Sequence, residues 1–575
     1  CIQGQAMPCC CFSGLLPHKK VVRSTGNAGN CALAILVPDR DTPLTRDYEL
    51  LESLGKGGFG EVHRARSKGN GEVVAIKKIF RHLVADPGKL RLEIDLLKHA
   101  DHPNLVKLYE VYGDSRRLYL VMQICEGGDL LQRLRAVRSF GETDAATICK
   151  QILRGVNYLH SHKVVHRDMK PENVLFVKAV EVAQTPLKIV DLGVSARVVG
   201  NNMLATAVGT PQFVAPEILT GCYSYGVDLW AVGVMMHLVL SGTLPFKGAD
   251  EREIIKRVCT AQLNLNNENW SGVSDEAKQL VQALIERDPR KRLTSQEAVE
   301  HPWIARQSVH HSKPLRKRVL ENICSYYHMN QLKRVALTAV VQRLPEQNLM
   351  DIKNQFLWCD KNQEGTLSFQ QFEKAVATAE ADDGTKADVL RVFSKLAEEG
   401  EGVIDYSVFC AAALDWRWYL QEDVCLEAFR VFDRRRRGKV SAADLKEVMR
   451  DSATKSCTGE PPTPKSSAFP QMSVQEIIAE IDQDGDGEIT FQDFFTMMQT
   501  IDSERSYIAS STSLPHIKTD DPSDVDIIRG VSHLSAPGDA GGDALPQGYA
   551  SVPAVSLLTP TSRKSLPRSV SMDLD

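Results

Sequence analysis

Asp168, Lys170 and Asn173 stand within one short string, His166-Arg167-Asp168-Met169-Lys170-Pro171-Glu172-Asn173. Moving a phosphoryl group onto a hydroxyl needs a carboxylate to orient the attacking oxygen, a cation over the γ-phosphate and oxygen ligands for magnesium. The three residues meet those needs in that order. Asp191, in Asp191-Leu192-Gly193, supplies the main magnesium ligand, and Ala215-Pro216-Glu217 closes the segment behind it. Upstream, the string LGKGGFGEV from Leu54 to Val62 places Gly55, Gly57 and Gly60 in a hairpin that can approach phosphates closely because no side chains intervene. Glycine loops also make plain turns, so this string carries little weight alone. Val74-Ala75-Ile76-Lys77 then ends a strand on a lysine suited to the α- and β-phosphates of ATP. Glu93, on a helix predicted from Leu90 to Lys98, is placed to pair with that lysine.

Side chains so far apart in sequence need a scaffold of two kinds. Strand-like runs, Val73 to Lys78 and Leu118 to Ile124, dominate the region from Tyr48, and helical patterns take over near Asp129 and continue to about Ile304. That succession predicts a two-lobed α+β enzyme. Residues 305–350 carry the basic clusters Arg316, Lys317, Arg318 and Lys333, Arg334 beside apolar Val319, Ile323 and Tyr327, the pattern of an amphipathic junction helix.

With six motifs in this order at these distances, residues 48–304 resemble the eukaryotic protein kinase family. The resemblance implies that Asp168, Lys170, Lys77 and Glu93 form the catalytic set and that Asn173 and Asp191 hold magnesium. It implies that Met122 is the gatekeeper and that adenine bonds to the backbone of Gln123 and Cys125 between Val62, Ala75 and Leu175. It also implies that Asp228 braces the catalytic loop and that Arg292 pairs with Glu217. Leu192 stands where the family usually carries Phe; a buried Leu fills the same apolar column against Leu97, Leu108 and His166. Lys170 and Gly209-Thr210-Pro211 follow the serine/threonine pattern rather than the tyrosine one. Asp129 and Glu172 lie where related basophilic kinases hold substrate arginines, or they are solvated surface charges. Thr206 is placed for regulatory phosphorylation, with Arg167 as partner of the phosphate; a silent surface threonine is the competing reading.

Beyond residue 350 a loop repeats around Gly365, Gly402, Gly438 and Gly487, at separations of 37, 36 and 49 residues, a helix-loop-helix period. An EF-hand loop puts oxygen ligands at positions 1, 3, 5, 7, 9 and 12 and glycine at 6. The fourth loop meets this throughout, with Asp482, Asp484, Asp486, the Glu488 carbonyl, Thr490 and Asp493. Aspartate in the last position reaches less far than glutamate and weakens bidentate calcium binding. The first loop keeps Asp360, Asn362, Glu364 and Ser368 but ends on Gln371. The second aligns Ala397, Glu399, Glu401, Asp405 and Val408 and loses both end ligands. The third begins on Asp433 but sets Arg435 and Arg437 at ligand positions, where a cation excludes a cation. Those two read as structural hands. Kinase, basic junction and four hands together resemble the calcium-dependent protein kinases of plants and apicomplexan parasites over residues 48 to about 500. The resemblance implies that the junction blocks the kinase until calcium reshapes the hands.

The division expected is therefore a leader at 1–47, a kinase domain at 48–304, a junction at 305–350, an EF-hand domain at 351–500 and a disordered tail at 501–575. A Pro- and Ser/Thr-rich insert from Asp451 to Met472 lengthens the last repeat. With 25% charged residues, 43% hydrophobic residues and a net charge of −4 over 575 residues, composition gives no reason to expect nucleic-acid binding. No apolar run is long enough to span a membrane. Fourteen cysteines without CxxC pairs suit a reducing, cytoplasmic setting. The cluster Cys9, Cys10, Cys11, near Lys19, Lys20 and Arg23, offers palmitate acceptors and peripheral membrane contact, or simply unmodified thiols. The functional expectation is an ATP- and magnesium-using serine/threonine kinase of basophilic preference, regulated by calcium. A calcium-indifferent kinase and a kinase-fold scaffold are the rivals.

Overall fold

The computed structural model describes residues 39–40, 42–57, 60–198, 203–206, 208–306, 314–399, 402–453 and 474–500. The leader cysteines, the tip of the glycine loop, Glu401, most of the insert and the tail lie outside them.

The first lobe is a six-stranded sheet of β1 (Asp39–Arg40), β2 (Tyr48–Gly57), β3 (Gly60–Ser67), β4 (Val73–Phe80), β5 (Leu108–Gly113) and β6 (Arg117–Met122), in the order β1-β5-β6-β4-β3-β2. Its pairings are antiparallel except β1 with β5, which is parallel. β4 runs two residues past its expected end, because Ile79 and Phe80 continue the pairing with Leu118 and Arg117 of β6. The helix predicted from Leu90 spans Pro87–His99. Asp86 accepts from the Gly88 and Lys89 amides and proline opens the first turn, so capping starts the helix before its apolar face does.

The second lobe is helical. Its axis is the helix Gly226–Ser241, buried along nearly all its length and therefore without a polar face, packed against the helix Asp275–Leu284 and the long helix Glu142–Ser161. Trp230, Leu229, Val232 and Met236 fill the core that this lobe shares with the base of the sheet.

A second core belongs to the hands. Four helix-loop-helix units pair through short antiparallel ribbons, Thr366–Ser368 with Val403–Asp405 and Lys439–Val440 with Ile489–Thr490. The junction is two helices, Lys317–His328 and Gln331–Arg343, separated where Asn330 caps the second. Both pack into the hands: the first on the helices Asp383–Glu399 and Tyr406–Ala413, the second on Tyr406–Ala413 and Glu422–Phe432. The first basic cluster of the junction turns to the hands. Arg316 pairs with Asp351 at 2.9 Å, Lys317 with Asp382 at 3.2 Å and Arg318 with Asp415, all carboxylates of the hand module. Lys333 and Arg334 are buried. Tyr326, not Tyr327, is the fully buried aromatic of the first helix.

The last residues of the presumed leader are structured. β1 pairs with β5, and Lys98, in the last turn of the helix Pro87–His99, holds Asp39 at 2.6 and 2.7 Å.

Candidate functional site

The site is assembled from three short segments that the two lobes bring together. Lys77, near the middle of β4, donates to Glu93 at 2.7 Å and to Asp191 at 3.1 Å. Burial opposes the charge on Lys77, but the two carboxylates outweigh it and raise its pKa. Asp191 is drawn the other way: burial favours its neutral acid, while Lys77 holds the carboxyl below its ordinary range. Asp191 also sits at φ 66°, a left-handed conformation rare for an aspartate, and such strain gathers where a side chain must be aimed.

Below it, Asp168 is held from both sides. Lys170 donates to one carboxylate oxygen at 2.6 Å and the Thr210 hydroxyl to the other at 2.8 Å, while Lys170 also reaches Thr210 at 3.2 Å. The amide nitrogen of Asn173 donates to the Asp168 carbonyl at 2.8 Å, leaving the Asn173 side-chain oxygen for a ligand role. Asp228, fully buried, accepts the His166 and Arg167 amides at 2.8 Å each and His160 at 2.9 Å, which fixes the catalytic loop from beneath. Arg292 grips Glu217, one bond at 3.0 Å, and donates to the Gly226 carbonyl at 2.7 Å. Leu192 is 4% exposed and shares its core with Leu97 and Leu108.

The residues expected to hold adenine are distributed as follows. Val62 pairs across the sheet with Gly55 on one side and Lys77 on the other; Ala75 pairs with Met122. Leu175 lies on the ribbon of the helical lobe and bridges to Asp129. Cys125 is half-buried, and burial pushes its thiol up to about 12, so it is a neutral lining group. Gln123 donates its amide to the Lys107 carbonyl at 2.9 Å. Gly60 has a role that sequence reading missed: a Cβ there would fall 1.8 Å from the Lys78 carbonyl oxygen. Close packing of β3 on β4 demands that glycine, whereas a Cβ on Gly55 would meet nothing within 4 Å. Gly57 ends β2, next to the tip outside the described residues.

Asp129 accepts the Gln132 amide at 2.7 Å and so caps the helix Leu130–Val137. Glu172 is exposed. Thr206 is exposed, and Arg167 reaches it only indirectly. Arg167 donates to the Tyr223 hydroxyl at 3.2 Å, and that hydroxyl donates to the Thr206 carbonyl at 2.5 Å.

In the fourth hand one carboxylate oxygen each of Asp482, Asp484 and Asp486 lie within 4.8 Å of one another. Asp482 accepts the Gly485 and Gly487 amides at 2.8 Å each, and both glycines are left-handed, so the loop is wound around its first carboxylate. Hard oxygen donors in this arrangement suit a divalent cation of calcium type. The Asp493 carboxylate is engaged in its own helix cap, while Glu488, expected to act through its carbonyl, uses its side chain for another contact. Asp493 accepts the Thr490 amide at 2.9 Å and its hydroxyl at 2.6 Å as part of a capping box, and the Glu488 side chain pairs with Arg437 at 3.1 Å. Lys439 pairs with Asp486. In the first hand, Gln371 donates to Asn362 at 2.5 Å and Asn362 to Glu364 at 2.6 Å, so its would-be ligands bond to one another. Burial pushes the Asp360 carboxyl up to about 6.

Residues 48–304 match the protein kinase domain family and residues 422–499 the EF-hand domain pair. The chain is 33% identical over 448 residues to calcium-dependent protein kinase 5 of Plasmodium falciparum, covering 77% of this chain and 76% of that one. It is 36% identical over 402 residues to calcium-dependent protein kinase 3 of Plasmodium yoelii yoelii, covering 69% and 73%. With calcium-dependent protein kinase 11 of Oryza sativa subsp. japonica the identity is 32% over 484 residues, covering 83% and 81%. The chain belongs to the calcium-dependent protein kinase family. It is a protein kinase, and the two-lobed fold followed by EF-hands was legible before the structure.

A protein kinase domain implies ATP and a divalent ion, and the donors present fit both: an ammonium between two carboxylates, and the Asp191 carboxylate with the Asn173 amide oxygen as hard ligands. Bound there, ATP would supply the phosphoryl group; the chain's own residues orient and neutralise. In this member of the calcium-dependent protein kinase family two further residues join the site. Thr210 was noted only as a mark of hydroxyl specificity, yet its hydroxyl bridges Lys170 and Asp168. Glu346, beyond the kinase domain, accepts from the Gln123 side chain at 3.2 Å and from the buried Lys188 at 3.2 Å. No local signal marks Glu346 for this place, because its kinase-domain partners, Gln123 and Lys188, are far away in sequence. Among the described residues no helix is long and apolar enough to cross a membrane.

Proposed function

We propose that this kinase transfers the γ-phosphate of ATP, as its magnesium complex, to serine or threonine in proteins, and that calcium entering the fourth hand raises its activity. The observation that carries the catalytic half is the joined set Lys77–Glu93, Lys77–Asp191 and Asp168–Lys170–Thr210, since a scaffold would need none of these polar contacts. Support for the sensor half comes from the three gathered carboxylates of the fourth loop and from relatives named as calcium-dependent kinases. Asp129 and the exposed Glu172 support a preference for arginine before the acceptor, although Asp129 also serves as a helix cap. Thr206, exposed and one hydroxyl away from Arg167, is proposed as a phosphorylation site.

A second reading, a kinase indifferent to calcium, is favoured by one observation: Arg316, Lys317 and Arg318 of the junction are already engaged by the hands' own carboxylates. Phosphorylation of an arginine-containing peptide, run in calcium and in chelator, separates the two. Asp191→Ala should lower transfer by orders of magnitude in both conditions, while Asp482→Ala should abolish only the calcium-dependent part. Equal wild-type rates in calcium and chelator would establish the second reading. Full activity of Asp191→Ala would remove the catalytic one.

A further inference from the structure

Among the described residues, the three hands that lost calcium ligands are the ones whose loops touch the kinase. In the first, the loop from Asp360 to Gln371 lies on the helix Glu142–Ser161. Asn157 donates to the Asn362 and Gln363 carbonyls at 3.1 and 3.0 Å, and Arg154 donates to the Gln363 side chain at 2.5 Å. Contact is so close at Gly365, itself left-handed, that a Cβ there would fall 2.6 Å from the Tyr158 ring. In the second hand, Ser407 donates its amide and hydroxyl to Asp101 at 2.9 and 2.6 Å, a carboxylate just beyond the helix Pro87–His99.

The third hand docks on the sheet lobe through charge. Glu110 of β5 is 1% exposed and receives three arginines from three parts of the chain: Arg40 of β1 at 2.8 Å, Arg343 of the junction at 3.4 Å and Arg436 of the third loop at 3.5 Å. Arg40 also donates to the Arg430 carbonyl at 2.8 Å and to the Asp433 and Arg434 carbonyls at 3.3 Å each, and Arg46 donates to the Arg436 carbonyl at 3.2 Å. Tyr48 and Tyr112 complete the carboxylate's shell at 2.8 and 3.1 Å. Two other arginines of the loop turn to its own last carboxylate. Arg435 and Arg437 hold Asp444, the buried last-position carboxylate, at 2.9 and 3.0 Å, so guanidinium charge keeps that loop closed without an ion.

One loop position recurs. Counting from the first aspartate, Gln363 and Arg436 are both the fourth residue of their loops, and both are left-handed, at φ 54° and 52°. The EF-hand turn imposes that conformation there, and it throws the fourth side chain outward from the loop. In the fourth hand the same position is Gly485, at φ 76°, where a Cβ would meet nothing within 4 Å. The loop that keeps its carboxylates has no side chain there, and Gln483, Asp484, Gly485, Asp486 and Gly487 are solvent-exposed.

We infer that the degenerate hands are a kinase-docking surface that holds in the absence of calcium, with Gln363 gripping the helical lobe and Arg436 the sheet lobe through their fourth loop positions. The fourth hand alone is left to respond to ions. This division does not depend on calcium stimulating the kinase: a chain indifferent to calcium would still dock this way.

Glycine is the discriminating substitution. At a left-handed position it relieves backbone strain, so Gln363→Gly and Arg436→Gly favour each loop locally while deleting the docking side chain. The experiment is hydrogen exchange of the full-length chain, in calcium and in chelator, read at β5 and at the helix Glu142–Ser161. The wild type should show the same protection at both surfaces in both conditions. Arg436→Gly should speed exchange at β5 roughly tenfold and Gln363→Gly should do so at the helix, the loss expected for a hydrogen bond or ion pair to a buried partner. Arg436→Lys, which keeps the charge, should restore part of the protection. Protection of the wild-type surfaces that disappears in either calcium or chelator would overturn the proposal by making docking ion-gated. Unchanged exchange in both glycine variants would overturn it by showing that these side chains hold nothing.

Discussion

Thr210 shows how much of a catalytic residue's placement is decided by a neighbour. Its hydroxyl donates to Asp168 and accepts from Lys170, so it braces, from the other carboxylate oxygen, the pair proposed to orient the acceptor and to meet the phosphate. Thr210→Val keeps the shape and removes that bridge. Its kcat should fall about 10- to 100-fold with little change in KM for ATP, and Thr210→Ser should recover most of it. A fall in KM-linked terms alone would place Thr210 in binding instead. Lys439 makes the same point in the fourth loop, where it pairs with the ligand Asp486 because the ribbon sets it opposite Thr490. On the calcium reading it is a tethered competitor, and Lys439→Gln should tighten calcium binding about three- to tenfold by calorimetry. Chemistry of this kind was legible where motifs are short: Asp168, Lys170 and Asn173 are fixed in spacing by one loop. The Thr210 bridge was not, since it spans forty-two residues and forms only when the activation segment folds back.

At the scale of elements, the glycine hairpin divides its labour. Gly60 is demanded by the approach of β4, and Gly55 is not demanded by any protein neighbour. Gly60→Ala must prise the two strands apart and should lower the thermal midpoint by several degrees, as overpacking against backbone does, whereas Gly55→Ala should leave it within about a degree. Equal midpoints for the two variants would show that the sheet edge yields. Strand and helix order along the kinase was readable from periodicity and turn residues, but the ends were set by caps and pairing, as at Asp86 and Phe80. The partners of the junction's basic cluster were not legible for a different reason. Its basic and apolar residues do lie at helical spacing, yet the pattern says only that two faces exist, and Asp351, Asp382 and Asp415 compete for the basic one at a distance no local window contains.

Across the whole molecule, the buried carboxylate of Glu110 joins the sheet lobe, junction and third hand. Burial alone would raise its pKa, but Arg40, Arg343 and Arg436 together bring it from the ordinary 4.5 down to about 2. A depressed carboxylate contributes stability that is complete above its unfolded value and is lost as pH falls through the folded one. The stability that Glu110 lends the fold should therefore be lost between about pH 4.5 and pH 2, on the order of 3 kcal/mol in all, and the dock through Arg436 should weaken by a part of it. Hydrogen exchange at β5 across that range checks it, and Glu110→Gln should abolish the pH dependence while leaving a weaker dock. Retention of the slope in Glu110→Gln would assign the acid sensitivity to another group.

The left-handed fourth position of the first, third and fourth hands has a consequence for descent. A loop that holds an ion answers to a small sphere that never changes, so its residues are kept one at a time. A loop that grips another part of its own chain answers to a sequence that drifts with it. Arg436 and Glu110, separated by 326 residues, should then be inherited as a matched pair. A lineage that neutralises one should neutralise or replace the other, and a lineage that restores ligands at Arg435 and Arg437 should lose the acid from β5.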